Sequence, residues 1–306
     1  MPKQLIECIP NYSEGRRDKI IEAIVEPFRK RRGCALFDYR ADKDHNRLVV
    51  SLAGEPDSVQ EALLKSAQVA IANINLEKHQ GSHPRIGAVD VIPFVPLNNI
   101  TMEECVDLAH RFGKRYYQET GIPVYFYEEA ALKPERRRLE VIRKGQYEAL
   151  KREVANPERH PDFGEPILHP SAGATVIGAR KFLIAFNVNL ETDNVNVAKE
   201  IAKKIRSSSG GLRHVKCIGL PLTKRGLVQV SANIVDYEKN ALYRVLELIR
   251  MEAKRWNVTV KETEICGMIP AEAIMDSMSY YMQISGFDIN QVIEVSLLKM
   301  LGDTNT

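Results

Sequence analysis

The chain has 306 residues, of which 44% are hydrophobic and 27% charged, with a formal net charge of +3. That length supports one large domain or two modest ones with real cores, and the composition excludes a disordered, fibrous or low-complexity protein. So small a net charge gives nucleic-acid binding no electrostatic support, and no apolar run approaches the ~18 residues of a membrane span.

The first residues, Met1-Pro2-Lys3-Gln4, lead straight into an apolar segment with no leader-like pattern. The five cysteines (Cys8, Cys34, Cys105, Cys217, Cys266) are odd in number, far apart and without paired metal-ligand spacing. They are expected to be reduced, and the protein cytoplasmic. Basic clusters at 29–32, 136–138 and 203–206 read as solvated helix faces.

In chain order, 4–9 reads as a short strand ended by Pro10, and 18–31 as a helix with Ile20, Ile21, Ile24 and Phe28 on one face. Strands are expected at 34–39 and 48–53, separated by the polar turn 41–47. Residues 55–74 form a strong helical pattern with Pro56 in its first turn. An apolar strand at 88–96 follows, then a helix opened by Thr101 with Glu104 three residues on, a capping-box pattern. A strand at 124–127 and a charged helix at 134–150 precede an irregular stretch, 156–172, holding Pro157, Pro161, Pro166 and Pro170. The second half repeats the alternation: strands at 175–177, 182–190, 215–219, 227–235, 258–260 and 264–268, with helices at 194–208, 241–256, 270–284 and 291–301. Each half reads as β-α-β-β-α-β with extra helices. The expectation is an α+β protein of two ferredoxin-like, split βαβ subdomains, each a mixed sheet covered by helices, spanning 1–180 and 181–306.

No glycine-rich phosphate loop, HExxH motif or Gly-x-Ser-x-Gly elbow is present. The most informative stretch is Lys78-His79-Gln80-Gly81-Ser82-His83-Pro84-Arg85-Ile86-Gly87-Ala88-Val89-Asp90, which joins a helix to a strand. Pro84 restricts the backbone of His83, and an imidazole that both takes and gives a proton near neutrality suits acyl-like transfer between nitrogens. Arg85 offers a forked donor for a carboxylate. The plainer reading is a loop histidine bonded to a neighbouring backbone or carboxylate group. His79 with His83 is the only nearby metal-like pair, but Gly81 argues against a helix through both and no third ligand is close. No metal is expected. Two further polar clusters, 10–15 and 42–47, read as a helix-capping turn and a hydrated hairpin turn. The proline-rich connector 164–173 is either a plain linker or the border of a ligand cleft.

Taken together, these segments resemble the formiminotransferase family. The matching phrases are Glu7-Cys8-Ile9-Pro10-Asn11-Tyr12-Ser13-Glu14-Gly15, Gly81 through Asp90, Pro123-Val124-Tyr125, Pro161-Asp162-Phe163-Gly164, and Gly173 through Asn187. The resemblance implies transfer of a formimino group from N-formimino-L-glutamate to tetrahydrofolate, as co-substrate, in histidine degradation. It places the family's catalytic histidine on His83 as general acid/base. Its folate-contacting segment falls on Gly164, Glu165, Pro166, Ile167, Leu168, His169, Pro170, Ser171, Ala172 and Gly173. It also implies a substrate tunnel between two subdomains and a homodimer, with no nucleic-acid or membrane partner. Arg47, Arg85 and Arg180 are candidate holders of the substrate carboxylates, including a polyglutamate tail. Ala172 stands where animal members carry tryptophan, and Arg40 where some carry an acid. Neither pterin stacking at 172 nor a carboxylate partner for His83 at 40 is therefore carried over. Vertebrate members are fused to a cyclodeaminase, which this sequence lacks, so a separate protein is expected to process 5-formimino-tetrahydrofolate. Competing readings are formyl transfer from N-formyl-glutamate, a non-catalytic folate-binding module, and an RNA-binding protein; only 7% of residues are aromatic, which weakens the last.

Overall fold

The computed structural model describes residues 3–29 and 31–303. The chain divides into two compact units, 1–180 and 181–306.

The first unit is built on a seven-stranded sheet of β1 (Leu5–Cys8), β2 (Asn11–Tyr12), β3 (Cys34–Asp42), β4 (Arg47–Gly54), β5 (Val89–Asn98), β6 (Val124–Glu128) and β7 (Thr175–Ala179). β3 and β4 form an antiparallel hairpin whose last pair is Asp42 with Arg47. β7 lies between β5 and β6 and is parallel to both, so this sheet is mixed. Three helices supply its apolar cover: α1 (Asp18–Arg29), α2 (Pro56–Asn73) and α3 (Met102–Thr120). Their buried stripes, such as Ile21, Ile24 and Phe28 on α1, recur at helical spacing. Phe94 of β5 meets Phe112 of α3 edge to face at 5.4 Å in the middle of this core. Each such ring, fully buried, contributes about 1.5–3 kcal/mol by leaving water.

The capping box expected at α3 is present. Thr101 Oγ1 accepts from Glu104 N at 3.2 Å, and Glu104 Oε2 accepts from Thr101 N at 2.7 Å. Gly121, left-handed at φ 69°, ends the helix.

One expectation fails here. Residues 134–150 do not make a single helix but a 3-10 turn (Pro134–Arg137), a one-turn α4 (Leu139–Ile142) and α5 (Gln146–Glu153). Gly145 and Gln146 both take left-handed φ, at 73° and 59°, which reverses the chain between α4 and α5.

The second unit follows β-α-β-β-α-β order: β8 (Ile184–Leu190), α6 (Val195–Ile205), β9 (Val215–Leu222), β10 (Leu227–Ile234), α7 (Leu242–Lys254) and β11 (Val260–Cys266). Two more helices follow, α8 (Ala271–Met282) and α9 (Ile293–Asp303). The strand order β11-β8-β10-β9 is the ferredoxin-like arrangement expected, with one difference. Every pairing among its described strands is antiparallel, so this sheet is not mixed. The two strands expected at 258–260 and 264–268 are one, with a register shift near Val260. Ile184, Phe186, Val188 and Leu190 alternate inward against Val197, Ile201, Val245 and Ile249 of the two crossing helices.

Candidate active site

Three polar loops that looked independent in the sequence are stitched together at one end of the first sheet. Ser13 donates its N–H to Ala88 O at 2.9 Å and its hydroxyl to Gly87 O at 2.7 Å. Gly15 N donates to Asn46 Oδ1 at 2.9 Å, while Asn46 Nδ2 donates to Gln80 O at 2.9 Å. Ser82 donates to Asp44 O at 3.3 Å. Glu14 caps the approach to α1, accepting the N–H groups of Arg16 and Arg17 at 2.9 and 3.0 Å.

Two glycines permit this approach. A Cβ on Gly15 would lie 2.2 Å from Asp42 O, and one on Gly81 would lie 2.3 Å from His45 O. Gly81→Ala must therefore push the His83 loop away from the hairpin turn. A displacement of that order lowers turnover by up to about 10²-fold with little change in melting temperature. Turnover equal to wild type in this variant would remove the loop packing from the account.

His83 is half-buried in the loop, with the His45 ring edge-on at 6.5 Å. His45 is itself tied to Asp42 through Nδ1 at 2.8 Å. Burial, then the positive charges of Arg47 and Arg143, with His45 and His79 adding to them, push the His83 imidazole from 6.5 down to about 2. The ring is thus a neutral base throughout the physiological range. Its C–H resonances should not titrate between about pH 5 and 8. Below 6.5 the unfolded chain protonates His83 while the folded one does not, so this residue subtracts stability as pH falls and none above 6.5. His83→Asn should lose less melting temperature than wild type on going from about pH 7 to 5; an equal loss would contradict the depressed value.

His79 has a different job. Its Nε2 bonds Asn46 O at 3.0 Å and its Nδ1 accepts from Arg85 Nε at 3.2 Å, so the ring is neutral and fixed. Burial holds it below its ordinary value. Arg85 is 6% exposed and fully engaged. It makes a two-pronged pair with Glu148 at 2.8 and 2.6 Å and donates to Gln146 at 3.1 Å. Those bonds hold the Glu148 carboxyl below the usual range. Arg85 therefore ties α5 to the loop, and its fork is not open to a substrate carboxylate.

Of the other two arginines singled out, Arg47 begins β4 and its charge reaches His83. Arg180 follows β7, gives its N–H to Phe94 O at 3.0 Å and hydrogen-bonds Tyr127. Along β5, Phe94 lies roughly 17 Å from Val89, where the His83 loop ends, so the backbone of Arg180 meets this strand well away from that loop.

The 164–173 segment reaches the same place. Ala88 N donates to Ala172 O at 2.8 Å, Ala174 N to Ile86 O at 3.0 Å, and Gly87 bridges Gly173. Gly173, at φ 70°, has no room for a Cβ, which would lie 2.2 Å from Ile86 O. His169 Nδ1 accepts the N–H groups of Ser171 and Ala172, so its Nε2 carries the hydrogen when the ring is neutral. Leu168 and Ala172 are buried in the core, while Glu165, Ile167 and Pro170 face solvent. Ala172, 1% exposed, offers no surface for stacking.

Sequence reasoning missed Arg143 and Asp90 as a pair. Arg143 Nη2 bonds Asp90 Oδ2, and Asp90 Oδ1 takes Ile86 N at 2.7 Å. No local pattern links positions 53 apart; an acid inside an apolar strand was the one available signal. Among the described residues no group of three or more His, Cys, Asp or Glu side chains is placed to hold a metal ion. A cavity of about 370 Å³ in the second unit, walled by Tyr243, Arg244, Asp276 and Tyr280, contains none of the residues picked from the sequence.

The N-terminal subdomain of the formiminotransferase domain matches residues 5–180, and a second formiminotransferase domain model matches 185–302. The chain belongs to the formiminotransferase family. It is 44% identical over 296 residues to a glutamate formimidoyltransferase from Streptococcus pyogenes serotype M1, covering 96% of this chain and 99% of that protein. A Thermoplasma acidophilum glutamate formimidoyltransferase is 42% identical, with 96% and 98% covered. The mouse (Mus musculus) formimidoyltransferase-cyclodeaminase is 43% identical over 284 residues, 91% of this chain but 52% of that protein.

Proposed function

We propose that this protein transfers the formimino group of N-formimino-L-glutamate to tetrahydrofolate, releasing glutamate and 5-formimino-tetrahydrofolate. The observation that carries the reading is the match across nearly the whole length of two glutamate formimidoyltransferases. The placement of His83 supports its role: its loop is braced by the 10–15 and 42–47 turns and its ring makes no hydrogen bond to a described residue, and bound substrates must raise its basicity from the depressed value of the free protein. As N5 of tetrahydrofolate attacks the amidine carbon, its proton passes to the imidazole. The imidazolium then gives that proton to the glutamate nitrogen, whose bond to carbon breaks. The ring ends neutral, as it began, and no covalent enzyme intermediate is needed. Proton transfer of this kind contributes about 10²–10⁴-fold, and holding two bound molecules in attack geometry up to ~7–11 kcal/mol.

In this reading the exposed parts of 164–173 touch the folate, and Arg47 and Arg180 face carboxylates of the donor or of a folate tail. Arg85 drops out because Glu148 occupies it. The protein works in the cytoplasm as a homodimer, without metal, nucleic acid or membrane. Its free cysteines accord with a reducing compartment. The test is an absorbance assay of purified protein with tetrahydrofolate and either N-formimino- or N-formyl-L-glutamate. Turnover with the formimino donor is expected. Turnover with the formyl donor alone, or folate binding without turnover, overturns the proposal.

A further inference from the structure

Arg143 sits at the C-terminal end of α4, where its N–H closes the turn onto Leu139 O at 3.0 Å. One edge of its guanidinium is held by Asp90, whose other oxygen is committed to the backbone of Ile86. Asp90 is 2% exposed, so the clamp is a buried one at the root of the His83 loop. The opposite feature is a vacancy in bonding: Arg143 Nε is buried and has no hydrogen-bond partner. Buried donors are normally satisfied, and one left open in a native site calls for an acceptor. Close by, the His83 ring also makes no hydrogen bond to any described residue. The charge of Arg143 bears directly on that ring. The other forked cation of the loop, Arg85, is already filled by Glu148.

We infer that Arg143 is a specificity-determining residue that takes one carboxylate of the amino-acid donor through its open Nε edge, with Asp90 as the positioning residue that presents it. This rests on the donor reading above. A dicarboxylate amidine placed there would lie beside the base that must act on it. Lysine at 143 keeps the charge and can still pair with Asp90, but it has no second edge to offer.

The test is binding rather than turnover: calorimetric titration of N-acetyl-L-glutamate into the full chain without folate, and of tetrahydrofolate separately. Arg143→Gln and Arg143→Lys should each weaken N-acetyl-L-glutamate binding at least about tenfold with folate affinity near wild type; Arg143→Lys keeps the charge beside Asp90 and should also keep the melting temperature, whereas Arg143→Gln leaves Asp90 buried without its counter-charge and should lower it. If Arg143→Gln fails to fold, Arg143→Lys decides alone. Wild-type-like affinity in a folded variant overturns the inference and leaves the donor reading standing. Folate binding by the wild type with no dicarboxylate binding overturns both.

Discussion

Replacing His83 with alanine or asparagine is expected to lower kcat by about 10²–10⁴-fold, the range of a lost general acid/base. The fold should be preserved, because the ring makes no hydrogen bond to a described residue and only an edge contact with His45 at 6.5 Å. Folate affinity should be nearly intact, since the proposed folate segment, 164–173, is held by backbone bonds to Ile86 and Ala88 rather than by the imidazole. A fall in KM-type affinity without a fall in kcat would assign His83 to binding and not to proton transfer.

The second large effect is on stability. Asp162 and Arg136 form a buried pair at 2.5 Å, with side chains 3% and 5% exposed. Asp162 also accepts from Phe126 N at 2.8 Å, while Arg136 binds His160 O at 2.6 Å and Glu158 O at 3.1 Å. The pair thus pins the start of the connector to β6, just ahead of 164–173. Asp162→Ala leaves the guanidinium buried without its counter-charge. Breaking a buried pair from one side costs about 3–5 kcal/mol, roughly 10 °C of melting temperature in a protein of this size. Chemical denaturation of Asp162→Ala checks it. A loss under about 1 kcal/mol would mean that Arg136 relaxes to solvent.

Much of this architecture was legible because its signals are local. The capping box at Thr101 and Glu104 needs four residues, and the alternation of Ile184, Phe186, Val188 and Leu190 needs seven. What could not be read depends on distant partners. β2 is only Asn11–Tyr12, too short for a period, and exists because β4 and β5 flank it. The break near Gly145 and Gln146 overrode a helical pattern that was otherwise sound. At the site, the three polar clusters were each visible, and the glycines within them marked where backbones touch. Their convergence was not visible, nor was the diversion of Arg85 to Glu148, because residues 63 apart leave no spacing to read. Arg143 sat unnoticed in what looked like one more charged helix face.

One imidazole on a loop braced from three sides is proposed to carry the proton between the two nitrogens. Turnover of His83→Ala with free imidazole added to the assay probes it most directly. Activity near background that climbs with imidazole concentration is the outcome expected. Full activity with no imidazole present would contradict the account.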